Sequence, residues 1–251
     1  MKATACDEIP VVFTSDGRQL IGIWHRGRSK KMVLLCHGFT GSKVESKRIF
    51  VEAGRLFSEQ GIDAFRFDFF GSGDSAGDFA DSSISTNLIN LRDAIAWARQ
   101  QGYEDIAVLG LSMGGATAIL AADKGLFKAM VTWSAVPDMK QLFFSLAPDW
   151  QSQADSTAVL EYEGWLIKQH FWQDALHYDI HQAFSQITIP KLIIQGTADS
   201  EVFLQGFRYF RESALPPADF MEIPGAGHTF TSPRHRRQVL RQTLIWLLRH
   251  L

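Results

Sequence analysis

The sequence predicts an α/β protein, a mostly parallel sheet covered by helices on both faces. Three observations predict it. Short apolar runs without polar alternation, such as "MVLLC" (32–36) and "DIAVLGL" (105–111), mark strands buried on both faces. Segments with apolar residues three and four positions apart fall between those runs. The two patterns alternate along the chain, as parallel pairing through helical crossovers requires.

The elements follow in order. "IPVVFT" (9–14) and "QLIGIWH" (19–25), separated by the turn sequence "SDGR", read as a hairpin adding antiparallel strands at one sheet edge. "KMVLLCHG" (31–38) is the third strand. Ser42 and Glu45 have capping-box spacing, which predicts a helix from about 43 to 60, closed by Gly61. "IDAFRFDFF" (62–70) is a strand and "GSGDSAGDF" a loop. Ile84, Leu88, Leu91, Ile95 and Ala98 place an amphipathic helix over about 83–101. A strand (105–111), a helix (113–123) and a strand (127–135) follow.

At Pro137 the rhythm breaks. Residues 137–189 lack a clear strand and are dense in aromatics: Phe143, Phe144, Trp150, Tyr162, Trp165, Phe171, Trp172, Tyr178 and Phe184. They read as short helices inserted into the frame, forming either a small core of their own or an apolar ligand pocket. "IPKLIIQG" (189–196) resumes the strands, "LQGFRYFRESAL" (204–215) is a helix, and "ADFMEIPG" (218–225) is the last strand. Ser232 and Pro233 supply the N-cap and first residue of a terminal helix. Its apolar face holds Val239, Leu240, Thr243, Leu244, Leu247 and Leu251. The division is a core of 1–136 and 190–251 with an inserted subdomain at 137–189.

Composition excludes several classes. The chain has 251 residues, 46% hydrophobic and 21% charged, as in globular domains. A net charge of −2 gives no overall field for nucleic acid or an anionic membrane. Arg234, Arg236, Arg237 and Arg241 read as a solvated helix face. The two cysteines, Cys6 and Cys36, make neither a zinc spacing nor a disulfide framework. "MKATACDEIP" has no apolar secretory core, and no run approaches the roughly 18 apolar residues of a spanning helix. The expectation is a cytoplasmic protein without a membrane span, with a homodimer left open.

One motif carries chemistry. In "VLGLSMGGATAIL" (108–120), Gly110 and Gly114 bracket Ser112 between a buried strand and a helix. That is the setting of a nucleophile elbow, a turn so tight that residues two away must be small. A serine nucleophile needs a base, and the base an orienting acid. "GTADSEV" puts Asp199, and "GAGHTF" puts His228, just beyond carboxyl ends of strands, where open α/β sheets build their sites. Glu201 is an alternative acid, while Asp219, at the head of its strand, falls at the opposite edge. Oxyanion donors would be the N–H groups of Met113 and of Phe39 in "HGFTG" (37–41), with His37 holding that loop.

"HGFTGSK", "FDFFGSGDSAGDF", "GLSMGG", "GTADSEV" and "GAGHTF", in this order, resemble the α/β-hydrolase superfamily over nearly the whole chain. Within it the sequence is most similar to small bacterial carboxylesterases of the cinnamoyl (feruloyl) esterase type. Monoacylglycerol lipases and serine-aminopeptidase-like hydrolases are also similar. The resemblance implies an α/β-hydrolase fold of about eight strands and a Ser112–His228–Asp199 triad. It further implies a lid mapping onto 137–189 and a small-molecule ester as substrate. Phe70 stands where such hydrolases often have Arg or His before the loop.

Other readings compete. "GSGDSA" (71–76) fits a dinucleotide fingerprint, but Asp93 falls within a helix rather than at a strand end, so no nicotinamide cofactor is expected. His177 and His181 are four apart but lack the glutamate of a zinc-protease motif. They read as a solvated helix, with no metal and no cofactor. His25, His170, His235 and His250 receive no functional role. Thioesterase or acyltransferase chemistry could use the same serine, and the frame could also serve as a non-catalytic binder.

Overall fold

The structure, a computed structural model, describes residues 7–27, 29–122, 125–146 and 159–251, without the side chains of 144–146. Cys6, the Phe144 side chain, Trp150 and the end of the 113–123 helix lie outside the described residues. The main sheet contains eight strands in the order β1-β2-β4-β3-β5-β6-β9-β10. They are β1 (Asp7–Ser15), β2 (Arg18–Arg26), β3 (Lys31–Cys36), β4 (Asp63–Phe67), β5 (Asp105–Leu111), β6 (Ala129–Trp133), β9 (Lys191–Gly196) and β10 (Ala218–Ile223). The β1–β2 and β2–β4 pairs are antiparallel and the others parallel, as the sequence predicts.

The apolar strand runs follow from burial on both faces. Along β3, Met32, Leu34 and Cys36 point into one core, while Val33 and Leu35 point into the other. The first core is closed by α2 (Ile84–Gln100) and α3 (Met113–Ala121), the second by α1 (Ile49–Glu59) and α8 (Pro233–His250). Ser83 caps α2 by accepting from the Thr86 N–H, and Ser232 caps α8 by accepting from the His235 N–H, with Pro233 in its first turn. In the arginine cluster, Arg236 departs from a solvated face. It is half-buried and pairs with Glu52 of α1 at 3.4 Å.

Several expectations are corrected. The helix predicted from 43 begins at Ile49, after a single tight turn at Ser46–Arg48. Glu45 does not close a capping box. Its Oε1 accepts the N–H of Gly38, seven residues back, at 2.6 Å. Between β6 and β9 the chain forms α4 (Met139–Leu146), β7 (Val159–Tyr162), β8 (Trp165–Lys168), α5 (Gln169–Ala175) and α6 (Ile180–Phe184). The antiparallel β7–β8 hairpin is a strand pair that the aromatic density conceals. Its two turn residues, Glu163 and Gly164, both have positive φ, as a type I′ turn requires. His177 precedes α6 rather than sharing a helix with His181, and His181 stacks on Tyr209 of α7 (Glu201–Ser213) at 3.8 Å. α7 starts three residues earlier than the sequence suggests.

This connection rests on the segment preceding α2 and on the first turn of α2 itself. Lys168 pairs with Asp81, and His170 Nε2 lies 3.0 Å from the Ser82 carbonyl oxygen. Asp174 accepts from the Ser85 hydroxyl and, at 2.8 Å, from the Ser85 N–H. Among the described residues no helix is long and apolar enough to cross a membrane.

Candidate active site

Ser112 sits between β5 and α3 with φ 54° and ψ −116°, a left-handed backbone for a residue with a side chain. The turn holds because its surroundings over-determine it. The Ser112 N–H donates to Trp133 O at 2.9 Å, and Ser112 O accepts from the N–H groups of Gly115, Ala116 and Val136. Gly110 and Gly114 are required by close approach. A Cβ on Gly110 would strike the Gly114 carbonyl, and one on Gly114 would strike that of Cys36. A Cβ on Gly115 would press on Ala135.

The structure brings Ser112, His228 and Asp199 together. His228 Nε2 lies 2.9 Å from Ser112 Oγ, and His228 Nδ1 lies 2.8 Å from Asp199 Oδ2. An ionised carboxylate only accepts, so Nδ1 carries the proton and Nε2 is left to accept from the serine hydroxyl. Asp199 also accepts from Gln195 Nε2 at 2.7 Å and from the Ser200 N–H at 2.8 Å. Burial opposes its ionised form. The hydrogen bonds and the nearby imidazole outweigh that cost and hold the carboxyl below its usual range. Glu201 points elsewhere, exposed and paired with Arg208. Asp219 accepts from Trp246 Nε1 at 2.7 Å, at the opposite edge. Phe203 covers the His228 ring at 4.2 Å between centroids.

The 37–41 loop lies against the serine; a Cβ on Gly38 would come within 3.3 Å of Ser112 Cβ. His37 holds the loop, as its sequence position suggests. Its Nε2 accepts from the Phe69 N–H at 3.0 Å, so its Nδ1 donates to Gly38 O at 2.8 Å. Gly38 O also accepts from the Gly41 N–H at 3.1 Å. The Gly38–Phe39 peptide is planar and trans, so pinning its oxygen aims the Phe39 N–H the opposite way. Glu45 pins the preceding peptide through the Gly38 N–H. The Phe39 and Met113 N–H groups have no partner among the described residues.

Beneath the loop Asp68 is fully buried and accepts from the Lys43 N–H, Lys43 Nζ and the Asp74 N–H at 2.6, 2.6 and 2.9 Å. This ties the "GSGDSAGDF" loop to the 37–43 segment. The Phe39 ring packs edge-on against Phe79, Phe143 and Phe171, joining the loop to the α4–α5 region. Sequence reasoning missed Glu45 and Gln195, since each acts through a partner that only the fold supplies. Among the described residues no group of three His, Cys, Asp or Glu could hold a metal ion.

The family model described as the alpha/beta hydrolase family matches residues 33–242. A carboxylesterase from Bacillus subtilis is 32% identical over 85 residues, which are 34% of this chain and 33% of that protein. Among solved structures, Est1E from Butyrivibrio proteoclasticus with ferulic acid bound superposes with a TM-score of 0.84 at 23% identity, covering 96% of this chain and 98% of that one. A dienelactone hydrolase from Anabaena variabilis gives 0.73 at 17%, covering 99% and 100%. At these identities the structural likeness is one of fold.

Proposed function

The chain belongs to the alpha/beta hydrolase family, and from that premise we propose that it is a serine carboxylesterase acting through an acyl-enzyme. The hydrogen-bonded line Ser112 Oγ, His228 Nε2, His228 Nδ1, Asp199 Oδ2 carries the reading. Ser112 Oγ bonds to the ester carbonyl carbon as its proton passes to His228 Nε2. The carbonyl oxygen becomes an oxyanion and accepts from the Phe39 and Met113 N–H groups, each worth roughly 3 kcal/mol in comparable sites. As the intermediate collapses, the C–O bond to the alcohol breaks and His228 returns the proton to the leaving oxygen. Water then attacks the acyl-enzyme by the same steps in reverse roles, releasing the acid and restoring the serine hydroxyl. Asp199 stays ionised throughout. It holds the imidazole tautomer and stabilises the imidazolium.

We read residues 137–189 as the lid over this site and the substrate as a small acyl or aromatic ester. The carboxylesterase relative and the ferulic acid bound to Est1E support that direction. The test combines short 4-nitrophenyl esters with fluorophosphonate labelling. Wild-type protein should hydrolyse the esters and be labelled at Ser112, and Ser112→Ala should do neither while remaining folded. Absence of both turnover and label in the wild type would overturn the proposal. A panel of monoacylglycerols, acyl thioesters and methyl hydroxycinnamates, compared by kcat/KM, separates the substrate classes. Acyl transfer to an alcohol in place of water marks an acyltransferase.

A further inference from the structure

A small cavity, about 10 Å³, lies beside the proposed oxyanion loop. Such a space has room for about one water-sized group. Gly38, Phe39, Met113 and Phe171 of α5 are among its lining residues. Phe39 and Met113 are the residues whose N–H groups would receive the carbonyl oxygen, so the cavity adjoins the proposed oxyanion residues.

Its polar lining is unusual. Asn87 of α2 and Ser72 both line it and are 8% and 3% exposed. Among the described residues neither the Asn87 amide nor the Ser72 hydroxyl has a hydrogen-bond partner. Asn90, about one turn further along the same helix and also buried, shows the contrast. Its Oδ1 accepts from the Phe70 N–H at 2.9 Å and its Nδ2 donates to Ser15 Oγ at 2.9 Å. Ser82, also on the cavity wall, donates to Phe79 O at 2.6 Å. Side-chain amides and hydroxyls at this depth usually have a protein or water partner. Asn87 and Ser72 together offer donors and acceptors around a space with room for about one oxygen atom.

We propose that this cavity is a specificity subsite for a hydroxyl or oxo group on a short acyl chain, close to the ester carbonyl, with Asn87 and Ser72 pairing that oxygen. The inference rests on the esterase reading of Ser112 and adds the class of acyl group. Phe171, on the segment read as the lid, would close over the bound chain. A site whose buried polar groups are completed by the substrate rejects the analogue lacking the oxygen, because the groups are then left unpaired.

The experiment compares kcat/KM for ethyl 3-hydroxybutyrate and ethyl butyrate, followed by pH-stat, in wild type, Asn87→Leu and Ser72→Ala. Wild type should favour the hydroxylated ester at least tenfold. Asn87→Leu should bring the ratio to about one, and Ser72→Ala should shift it the same way. If Asn87→Leu fails to fold by circular dichroism, Ser72→Ala and Asn87→Asp decide. Equal ratios in all the folded proteins, with both esters hydrolysed, would overturn the subsite and leave the esterase intact; the cavity would then hold only a structural water. No hydrolysis of either ester, with no fluorophosphonate label on Ser112, would remove the esterase reading and the subsite with it.

Discussion

Replacing Glu45 by alanine removes the acceptor of the Gly38 N–H, a 2.6 Å bond to a carboxylate, and that of the Ser46 N–H at 3.0 Å. A buried peptide donor left unpaired costs about 1–3 kcal/mol. Water reaches this partly buried pair, so about 1–2 kcal/mol is the share that applies. The Gly38 peptide adjoins the Phe39 N–H, and His37 would still hold the Gly38 oxygen. Half of the loop's fixation is therefore lost. If that loss is felt when the oxyanion forms, kcat falls about five- to thirtyfold, since each 1.4 kcal/mol is a factor of ten. KM should change little, because the ground-state ester depends less on these donors. Glu45→Gln keeps an oxygen at the same reach and should recover most of the rate. Steady-state kinetics on 4-nitrophenyl butyrate, with thermal midpoints measured alongside, read the outcome. A Glu45→Ala enzyme with wild-type kcat would refute the reasoning. So would a Glu45→Gln enzyme as slow as the alanine variant, because charge rather than the hydrogen bond would then be responsible.

Asp199→Asn should lower kcat by about 10⁴, because the amide can stabilise the wrong imidazole tautomer; a loss under tenfold would assign the acid elsewhere. Gly114→Ala should fail to yield folded protein, since its Cβ would meet the Cys36 carbonyl oxygen, and soluble expression with a cooperative melt would contradict this. His25 supplies a pH prediction. Burial, then the Arg66 guanidinium that donates to its Nε2 at 2.9 Å, lowers its pKa to about 4. The unfolded chain takes up this proton near pH 6.5 and the folded chain only near pH 4, so the contribution is intact above 6.5 and is lost as pH falls to 4. The loss is about 3 kcal/mol across that window. Urea unfolding of wild type and His25→Gln at pH 7 and pH 4 should show the wild type losing more stability by about this amount, and parallel losses would refute it.

The strands were legible because burial on both faces leaves no room for polar residues; β3 and β5 are written in their own composition. Ser232 and Pro233 announce α8 for an equally local reason, as their chemistry serves the first turn. Glu45 misleads because its spacing from Ser42 is local, while the donor it satisfies belongs to a loop that the sheet brings back beside it. The β7–β8 hairpin carried a readable signal in Glu163 and Gly164, outweighed by the aromatics around it. The proposed nucleophile, base and acid each stand on a turn with its own glycine or aspartate signature. Gln195, Asn87 and Ser72 carry none, because what matters about them is which groups the fold places opposite their side chains.

β6 and β9 are parallel neighbours, with Met130 opposite Lys191 and Trp133 opposite Ile194. The chain leaving β6 at the edge nearest Ser112 must therefore return to the far edge before β9 can start. α6, which packs against α3, makes that return. Whatever precedes α6 is surplus to the topology. Closing a loop costs only about 0.6 kcal/mol more for each doubling of its length, so residues can be added at the exposed Glu163–Gly164 turn at little thermodynamic cost, while Phe143, Ile167 and Phe171 stay fixed by the core they share with the sheet. Ser112, Asp199 and His228 are held by turns outside this stretch. Natural drift or laboratory grafting can thus vary the Glu163–Gly164 turn while these three side chains stay fixed.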